Sequence, residues 1–104
     1  MNLRKKFDDE MKEIYFKAKK EAGYNATRYY QMVMENDPLD VAKKLISYVP
    51  PSEGFTNLLM AGKLNLTVEA LVVKEEYREF FTEEEIRLCK EKLGEDYLRQ
   101  NSIK

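Results

Sequence analysis

Residues 2–22 alternate apolar and charged positions with the period of an α-helix. The apolar side chains recur at steps of three or four residues, which places them along one side of a helix; they are Leu3, Phe7, Met11, Ile14, Tyr15, Ala18 and Ala22. Gly23 follows the last of them, at the position where a left-handed residue commonly ends a helix. The pattern therefore predicts a first helix over about residues 2–22.

The next apolar groups are separated by residues that begin or end helices. Asn25 is predicted to cap a second helix, because its side chain can accept from free backbone N–H groups. Asp37 followed by Pro38 is predicted to begin a third helix, since proline suits the first helical position. That helix is expected to stop before Pro50 and Pro51, which cannot continue it.

The segment 63–73 allows two interpretations. Ser52 is predicted to cap a fourth helix that ends near Gly62. Beyond it, apolar and polar residues alternate as in a strand, but a lone short strand would have no partner. We therefore expect an extended link followed by a helix that Thr67 caps.

The last part of the chain contains one strong local signal and one weak segment. Thr82 and Glu85 have the spacing of a capping box, which predicts a helix that breaks near Gly94. Residues 95–104 carry few apolar side chains and are expected to be a frayed tail. The predicted fold is all-α: a compact single-domain bundle of about six short helices over residues 1–94, followed by the tail 95–104.

Composition excludes several kinds of chemistry. The chain of 104 residues has no histidine and one cysteine, so His-dependent catalysis, His-ligated metals and an internal disulfide are ruled out. We expect no cofactor.

The 18 basic and 19 acidic side chains give a net charge of -1, although eight basic and five acidic residues make the segment 1–28 positive, at +3. The start of the chain lacks a signal-peptide pattern and no apolar run could span a bilayer, so we expect a cytoplasmic protein without a membrane partner.

The start of the second helix offers the most interesting polar and aromatic side chains. Arginine donates a planar fork that suits phosphate or carboxylate, and tyrosine rings can stack on a base or a peptide ring. The candidate binding residues here are Thr27, Arg28, Tyr30 and Gln31. In the alternative interpretation, Tyr29 and Tyr30 both pack in the core and Arg28 pairs with an internal acid such as Glu69.

A second set of candidate binding residues is weaker. Ser52, Glu53 and Thr56 open a helix with a polar loop that lacks the glycines and lysine of a phosphate-binding loop. Glu69 lies among apolar residues, so we expect it to be partly buried and to need a partner. Cys89 lies on an apolar helix face and is expected to be a small buried side chain.

The clustered carboxylates do not suggest a metal centre, because nearby lysines and a helix start already account for them. Oxygen-rich clusters bind divalent cations, but the acids of the first helix lie mainly opposite its apolar stripe with lysines nearby; they are Asp8, Asp9, Glu10 and Glu13. The acids at 83–85 belong to a helix start, where carboxylates are favoured. We predict no catalytic residue and no metal ligand.

Four segments resemble a known family in the order in which they occur. They are NATRYYQM at 25–32, PSEGFT at 51–56, GKLNLTVEALV at 62–72 and FTEEE at 81–85. Together they are similar to a family of small bacterial and phage-borne proteins of about this length, to which no activity is assigned. Similar segments occur as appendages of larger proteins, including nuclease-type proteins linked to restriction or defence. The chain departs from the family at Leu59, Met60 and Asn65, where tryptophan, an acid and aspartate are usual.

Three functional hypotheses follow. The first is a non-enzymatic adaptor or inhibitor that binds another protein, which the resemblance links to bacterial defence or phage counter-defence. The second is a nucleic-acid-binding protein that uses Arg28 and the basic first helix, whose cations are Arg4, Lys5, Lys6, Lys12, Lys17, Lys19 and Lys20. The third, with the least support, is a metal-dependent enzyme based on carboxylates. A homodimer sealed by the apolar stripe of the first helix is also open.

Overall fold

Every regular element of the computed structural model, which describes residues 2–103, is helical. Met1 and Lys104, the outer ends of the two predicted ranges, lie outside the described residues. The elements are α1 (Leu3–Ala22), α2 (Thr27–Glu35), α3 (Pro38–Ile46), α4 (Glu53–Met60), a 3₁₀ turn (Leu64–Leu66), α5 (Val68–Val72), a 3₁₀ segment (Glu75–Phe80), α6 (Glu83–Leu93) and α7 (Glu95–Gln100). The Cα radius of gyration, 12.7 Å, is close to the ~13 Å of a folded domain of this length. The all-α, compact fold class is confirmed.

Three helix starts follow the local signals in the sequence. Asp37 accepts from the Leu39 amide at 3.4 Å and begins α3. Ser52 accepts from the Phe55 amide at 3.2 Å and begins α4. The capping box of α6 is complete, because the Glu85 amide donates to Thr82 at 3.1 Å and the Thr82 amide donates to Glu85 at 2.8 Å.

The predicted cap of α2 is wrong. Ala26 occupies the cap position, and no side chain accepts a hydrogen bond there. Asn25 instead accepts from the Tyr15 hydroxyl at 2.9 Å. This hydrogen bond holds the α1–α2 link against α1, so the Asn25 side chain does not accept from the free backbone amides of α2.

The segment 63–73 is helical. Thr67 caps α5 by accepting from the Ala70 amide at 3.1 Å, and its hydroxyl donates to the Leu64 carbonyl at 2.7 Å. The expected helix is confirmed, while the preceding link is a 3₁₀ turn instead of an extended segment.

The expected frayed tail is wrong over most of its described length. Residues Glu95–Gln100 form α7, and partly buried Tyr97, Leu98 and Ile103 pack against the core. The Ile103 amide also donates to the Leu98 carbonyl at 2.8 Å. These side chains are too few to give a sequence pattern, but the core provides a surface on which they are buried.

The apolar stripe of α1 is buried in the hydrophobic core of the protein. Phe7 and Met11 are completely buried. The Phe7 ring lies 5.1 Å from that of Tyr77, 5.9 Å from that of Phe80 and 5.8 Å from that of Phe81, centroid to centroid. Because α1 buries this stripe against α2, α3 and the aromatic rings of the second half of the chain, its opposite side is the one left facing solvent.

Candidate functional site

A cluster of three aromatic rings lies where α1 and α2 meet the solvent. The ring centroids are 4.5 Å apart for Tyr15 and Tyr30, 5.1 Å for Tyr15 and Phe16, and 5.5 Å for Phe16 and Tyr30. Phe16 is 55% exposed, and Met34, one turn beyond Tyr30, is 52% exposed. We call this surface the α1–α2 face; it comprises Lys12, Tyr15, Phe16, Lys19, Lys20, Tyr30 and Met34.

Sequence reasoning missed Phe16, although the sequence contains a signal for it. Phe16 is not part of the apolar stripe of α1, and its neighbours at three and four residues are charged. The short link after α1, in which Gly23 takes a left-handed φ of 65°, returns the chain so that Tyr30 contacts Phe16. An aromatic residue on the polar side of an amphipathic helix is the pattern that could have identified this surface.

The charged residues around Phe16 leave the face positive. Lys12, Lys19 and Lys20 lie within one helical turn of Phe16 and form no ion pair with any residue in 2–103. The acids among them have cations of their own: Asp9 pairs with Lys5 at 2.9 Å, and Glu13 with Lys17 at 3.7 Å. The hydrogen bond from Lys5 lowers the pKa of the Asp9 carboxyl, which keeps that acid ionised and paired.

Of the predicted binding residues of α2, Tyr30 belongs to this face and Thr27 lies one turn before it, whereas Arg28, two residues before Tyr30, projects from another side of the helix. Thr27, Arg28 and Gln31 are exposed, and the Gln31 amide donates to Glu35 at 3.4 Å. Arg28 has no ion pair or side-chain hydrogen bond within the described part of the chain. Tyr30 is half-buried in the aromatic cluster.

The alternative interpretation of the two tyrosines is correct for one of them. Tyr29 points inward, and its hydroxyl donates to the Met11 carbonyl at 2.6 Å. Burial, assisted by the negative charge of Glu69, raises the pKa of Tyr29 far above its ordinary value. Tyr29 is therefore a core residue, whereas Tyr30 belongs to the surface.

The suggested pairing of Arg28 with Glu69 is wrong. Glu69 is 2% exposed and accepts from the Lys92 ammonium at 3.2 Å. The same ammonium donates to the Ile46 carbonyl at 2.7 Å. Burial raises the pKa of the Glu69 carboxyl, while its own backbone amide and Lys92 oppose that rise. Glu69 is thus half of an internal ion pair, away from any exposed binding surface.

The second set of predicted binding residues does not form one site in the structure. Ser52 is occupied with capping α4, and the Thr56 amide donates to the Ser52 carbonyl at 3.1 Å. The side chains of Glu53 and Thr56 are exposed. Among residues 2–103, no hydrogen bond or ion pair joins this loop to the candidate residues of α2.

The acids of α1 do not converge. The four that the sequence singles out each have a basic partner: Asp8 pairs with Arg4 at 3.0 Å, Asp9 with Lys5, Glu10 with Lys74 at 3.3 Å, and Glu13 with Lys17. In the part of the chain that the structure describes, no three acidic or cysteine side chains are grouped so that they could hold a metal ion. These carboxylates are accounted for as members of surface ion pairs.

A shallow groove of about 1200 Å³ lies on another side of the molecule, among α5, α6 and α7. Its apolar residues include Val73, Ile86 and Tyr97, and side chains of both charge signs surround them. None of the predicted binding residues lines it. The groove and the α1–α2 face are therefore separate features.

Cys89 is expected to react slowly with thiol reagents in the folded protein. Its side chain is fully buried, and burial raises the pKa of the thiol to about 12, so the reactive thiolate is scarce at neutral pH. Labelling of native protein by a maleimide should be ~100-fold slower or more than labelling after unfolding in urea. The measurement is the time course of mass increase, and rapid labelling of native protein would contradict the buried position.

Comparison with protein-family models, curated proteins and solved structures finds no match to this chain. The resemblance to the small bacterial and phage-borne family thus stays a prediction from the four sequence segments. Within residues 2–103, no helix combines the length and the apolar character needed to cross a membrane. The described residues thus form an all-α protein that exposes an aromatic and basic surface at the α1–α2 face.

Proposed function

We propose that this protein is a non-enzymatic binding module that docks onto another protein through the α1–α2 face. The observation that carries the proposal is the exposure of Phe16, 55% of which faces solvent beside two tyrosine rings and Met34. Apolar rings gain free energy when they leave water, and exposed groups of them mark interaction surfaces. Tyrosine and arginine are also the residue types that contribute most to protein interfaces.

An exposed arginine outside the α1–α2 face also fits an adaptor or inhibitor role. Arg28 lies exposed near the start of α2, and no ion pair with residues 2–103 occupies its guanidinium. Docking needs neither a pocket nor acid–base groups, and the face provides rings and cations instead. The sequence resemblance to phage-borne and nuclease-appended segments is the reason to propose that the partner belongs to bacterial defence or phage counter-defence.

Nucleic-acid binding is the second candidate, because part of the basic first helix is unoccupied. Arg4, Lys5, Lys6 and Lys17 each have carboxylate partners within the described residues. Of the cations that this hypothesis names, those without such partners among the described residues are Lys12, Lys19, Lys20 and Arg28. Binding through phosphate contacts would weaken steeply as salt is raised, so titration of the protein with DNA and RNA at two salt concentrations separates this candidate from protein docking.

Photo-crosslinking tests the proposed docking surface directly. A photoreactive phenylalanine analogue at position 16 should yield a discrete crosslinked protein in the native host, detected as a shifted band and identified by mass spectrometry. The matched control carries the same analogue in place of Met60, which is 82% exposed but lies on α4. Equal crosslinking at both positions, or none at position 16, would contradict the proposal.

Arg28→Ala should weaken the interaction without unfolding the protein. The side chain is exposed and forms no ion pair with residues 2–103, so its removal leaves no buried charge behind. We expect the yield of the position-16 crosslink to fall and the thermal unfolding midpoint to stay unchanged. Unchanged crosslinking together with a lower unfolding midpoint would show that Arg28 has a structural role.

A further inference from the structure

We propose that the partner surface for the α1–α2 face is an acidic protein segment in which carboxylates surround one apolar side chain. This inference rests on the proposed function and adds the chemistry of the partner. Phe16 and Met34 supply apolar area, while Lys12, Lys19 and Lys20 supply positive charge without ion-pair partners among residues 2–103. Complementary charges steer and align such contacts.

The lysines and the rings form one combined surface. Lys12 and Lys20 lie four residues before and after Phe16, and Lys19 lies three residues after it, so all three belong to the same side of α1. The hydrogen bond from Lys5 and the charge of Lys12 both lower the pKa of Asp9. Asp9 and Glu13 are nevertheless paired with Lys5 and Lys17, and no ion pair joins either acid to Lys12, Lys19 or Lys20. An apolar group that contacts Phe16 would thus be within reach of ammonium groups, where carboxylates are favoured.

The arrangement of the rings favours protein over nucleic acid. Single-stranded nucleic acid stacks its bases on open ring faces. Tyr15 and Tyr30 lie 4.5 Å apart at an angle of 33°, so each covers part of the other's face. Phe16 meets both rings nearly edge to face, at 78° and 72°. The rings therefore form a packed apolar knob instead of a series of stacking platforms.

The positive charge also disfavours a second copy of this chain. A two-fold contact places the same patch of both protomers face to face. The three lysines of each protomer would then lie in one shared interface, which would hold six cations without ion-pair partners among residues 2–103 of their own chains, and this excess of like charge is repulsive. An acidic partner removes this repulsion and supplies counter-charges instead.

Selection from a random-sequence peptide library displayed on phage tests the partner chemistry. The folded protein is the target, and enriched peptides are synthesised and measured by fluorescence anisotropy at low and high salt. We expect enriched peptides to carry several acidic residues around one aromatic or aliphatic residue. Their affinity should fall roughly tenfold with Phe16→Ala and with the double variant K19E/K20E, and should weaken as salt is raised.

The matched control is K44E/R99E, which makes the same change in net charge at exposed positions of α3 and α7 and should bind like the unaltered protein. Peptides that need Phe16 but carry no acidic excess would overturn the acidic-partner proposal and leave the docking face standing. Peptides indifferent to Phe16→Ala would contradict the docking face itself.

Two further outcomes would replace the proposed partner. Mixed-sequence single-stranded DNA that binds more tightly than every selected peptide, and loses affinity with Phe16→Ala, would identify nucleic acid as the ligand. Sedimentation that shows a dimer, dissociated by the same variant, would identify a second copy.

Discussion

Lys92→Met is expected to lower the free energy of unfolding by about 3–5 kcal/mol, because it leaves the buried Glu69 carboxylate without its cation. The Lys92 side chain is 11% exposed and that of Glu69 is 2% exposed, so water cannot replace the lost partner. The Ile46 carbonyl loses a donor at the same time. Urea unfolding monitored by circular dichroism measures the change.

A double variant and an exposed pair provide the controls. Glu69→Leu combined with Lys92→Met removes both charges and should recover much of the loss, since apolar replacement of a buried pair is often neutral. Arg99→Met removes a cation from a pair with Asp96 in which both side chains are mostly exposed, and should change stability little. A Lys92→Met protein as stable as the unaltered one would show that the pair contributes nothing.

The loss should also depend on pH. Burial raises the pKa of Glu69 above its value in the unfolded chain, and Lys92 opposes that rise. In Lys92→Met the pKa rises further, so the folded state binds a proton more readily than the unfolded state as pH falls. The difference in stability from the unaltered protein should therefore shrink as the pH falls from neutrality toward the ordinary pKa of a carboxyl group.

Phe7→Ala is expected to cost about 3–5 kcal/mol, because it opens a cavity at the centre of the core. Phe7 is fully buried and contacts the rings of Tyr77, Phe80 and Phe81. The matched control is Phe16→Ala on the same helix, which removes a half-exposed ring and its edge contacts and should cost about 1 kcal/mol. Thermal or urea unfolding distinguishes the two.

This pair of variants separates a packing residue from a surface residue of the same type. If Phe16→Ala destabilises the protein as much as Phe7→Ala does, Phe16 is a structural residue and the α1–α2 face loses its central member. If Phe16→Ala leaves the fold intact, its effect on binding can be assigned to the surface alone.

Sequence reasoning succeeds here where the physical cause is local. The cap of α3 by Asp37, that of α4 by Ser52 and the capping box of Thr82 and Glu85 each depend on atoms within three residues of one another. Asn25 is the instructive failure, because its side chain is equally suited to a cap but is bound by a tyrosine on the preceding helix. The local sequence shows which hydrogen bonds a side chain is able to form, and tertiary packing determines which of them it forms.

Features that depend on distant residues could not be predicted. The sequence indicates that Glu69 needs a partner, but only the packing of α5 against α6 brings Lys92 to it. The order of α7 likewise depends on the surface that receives Tyr97, Leu98 and Ile103. Part of the candidate site was accessible, since Tyr30 stood out by residue type and Phe16 is an aromatic residue on the polar side of α1, whereas the contact between the two rings depends on how α2 packs against α1.

Helices α3 and α6 are joined by two polar contacts in addition to their apolar packing. Near the start of α6, Glu85 accepts from Lys43 at 2.8 Å while it also completes the capping box. Near its end, Lys92 donates to the carbonyl of Ile46, the last residue of α3. When α6 unfolds locally, Lys43 of α3 loses its counter-ion Glu85, and the Ile46 carbonyl of α3 loses its donor Lys92. We therefore expect the backbone amides of α3 and α6 to exchange their protons in a single cooperative opening.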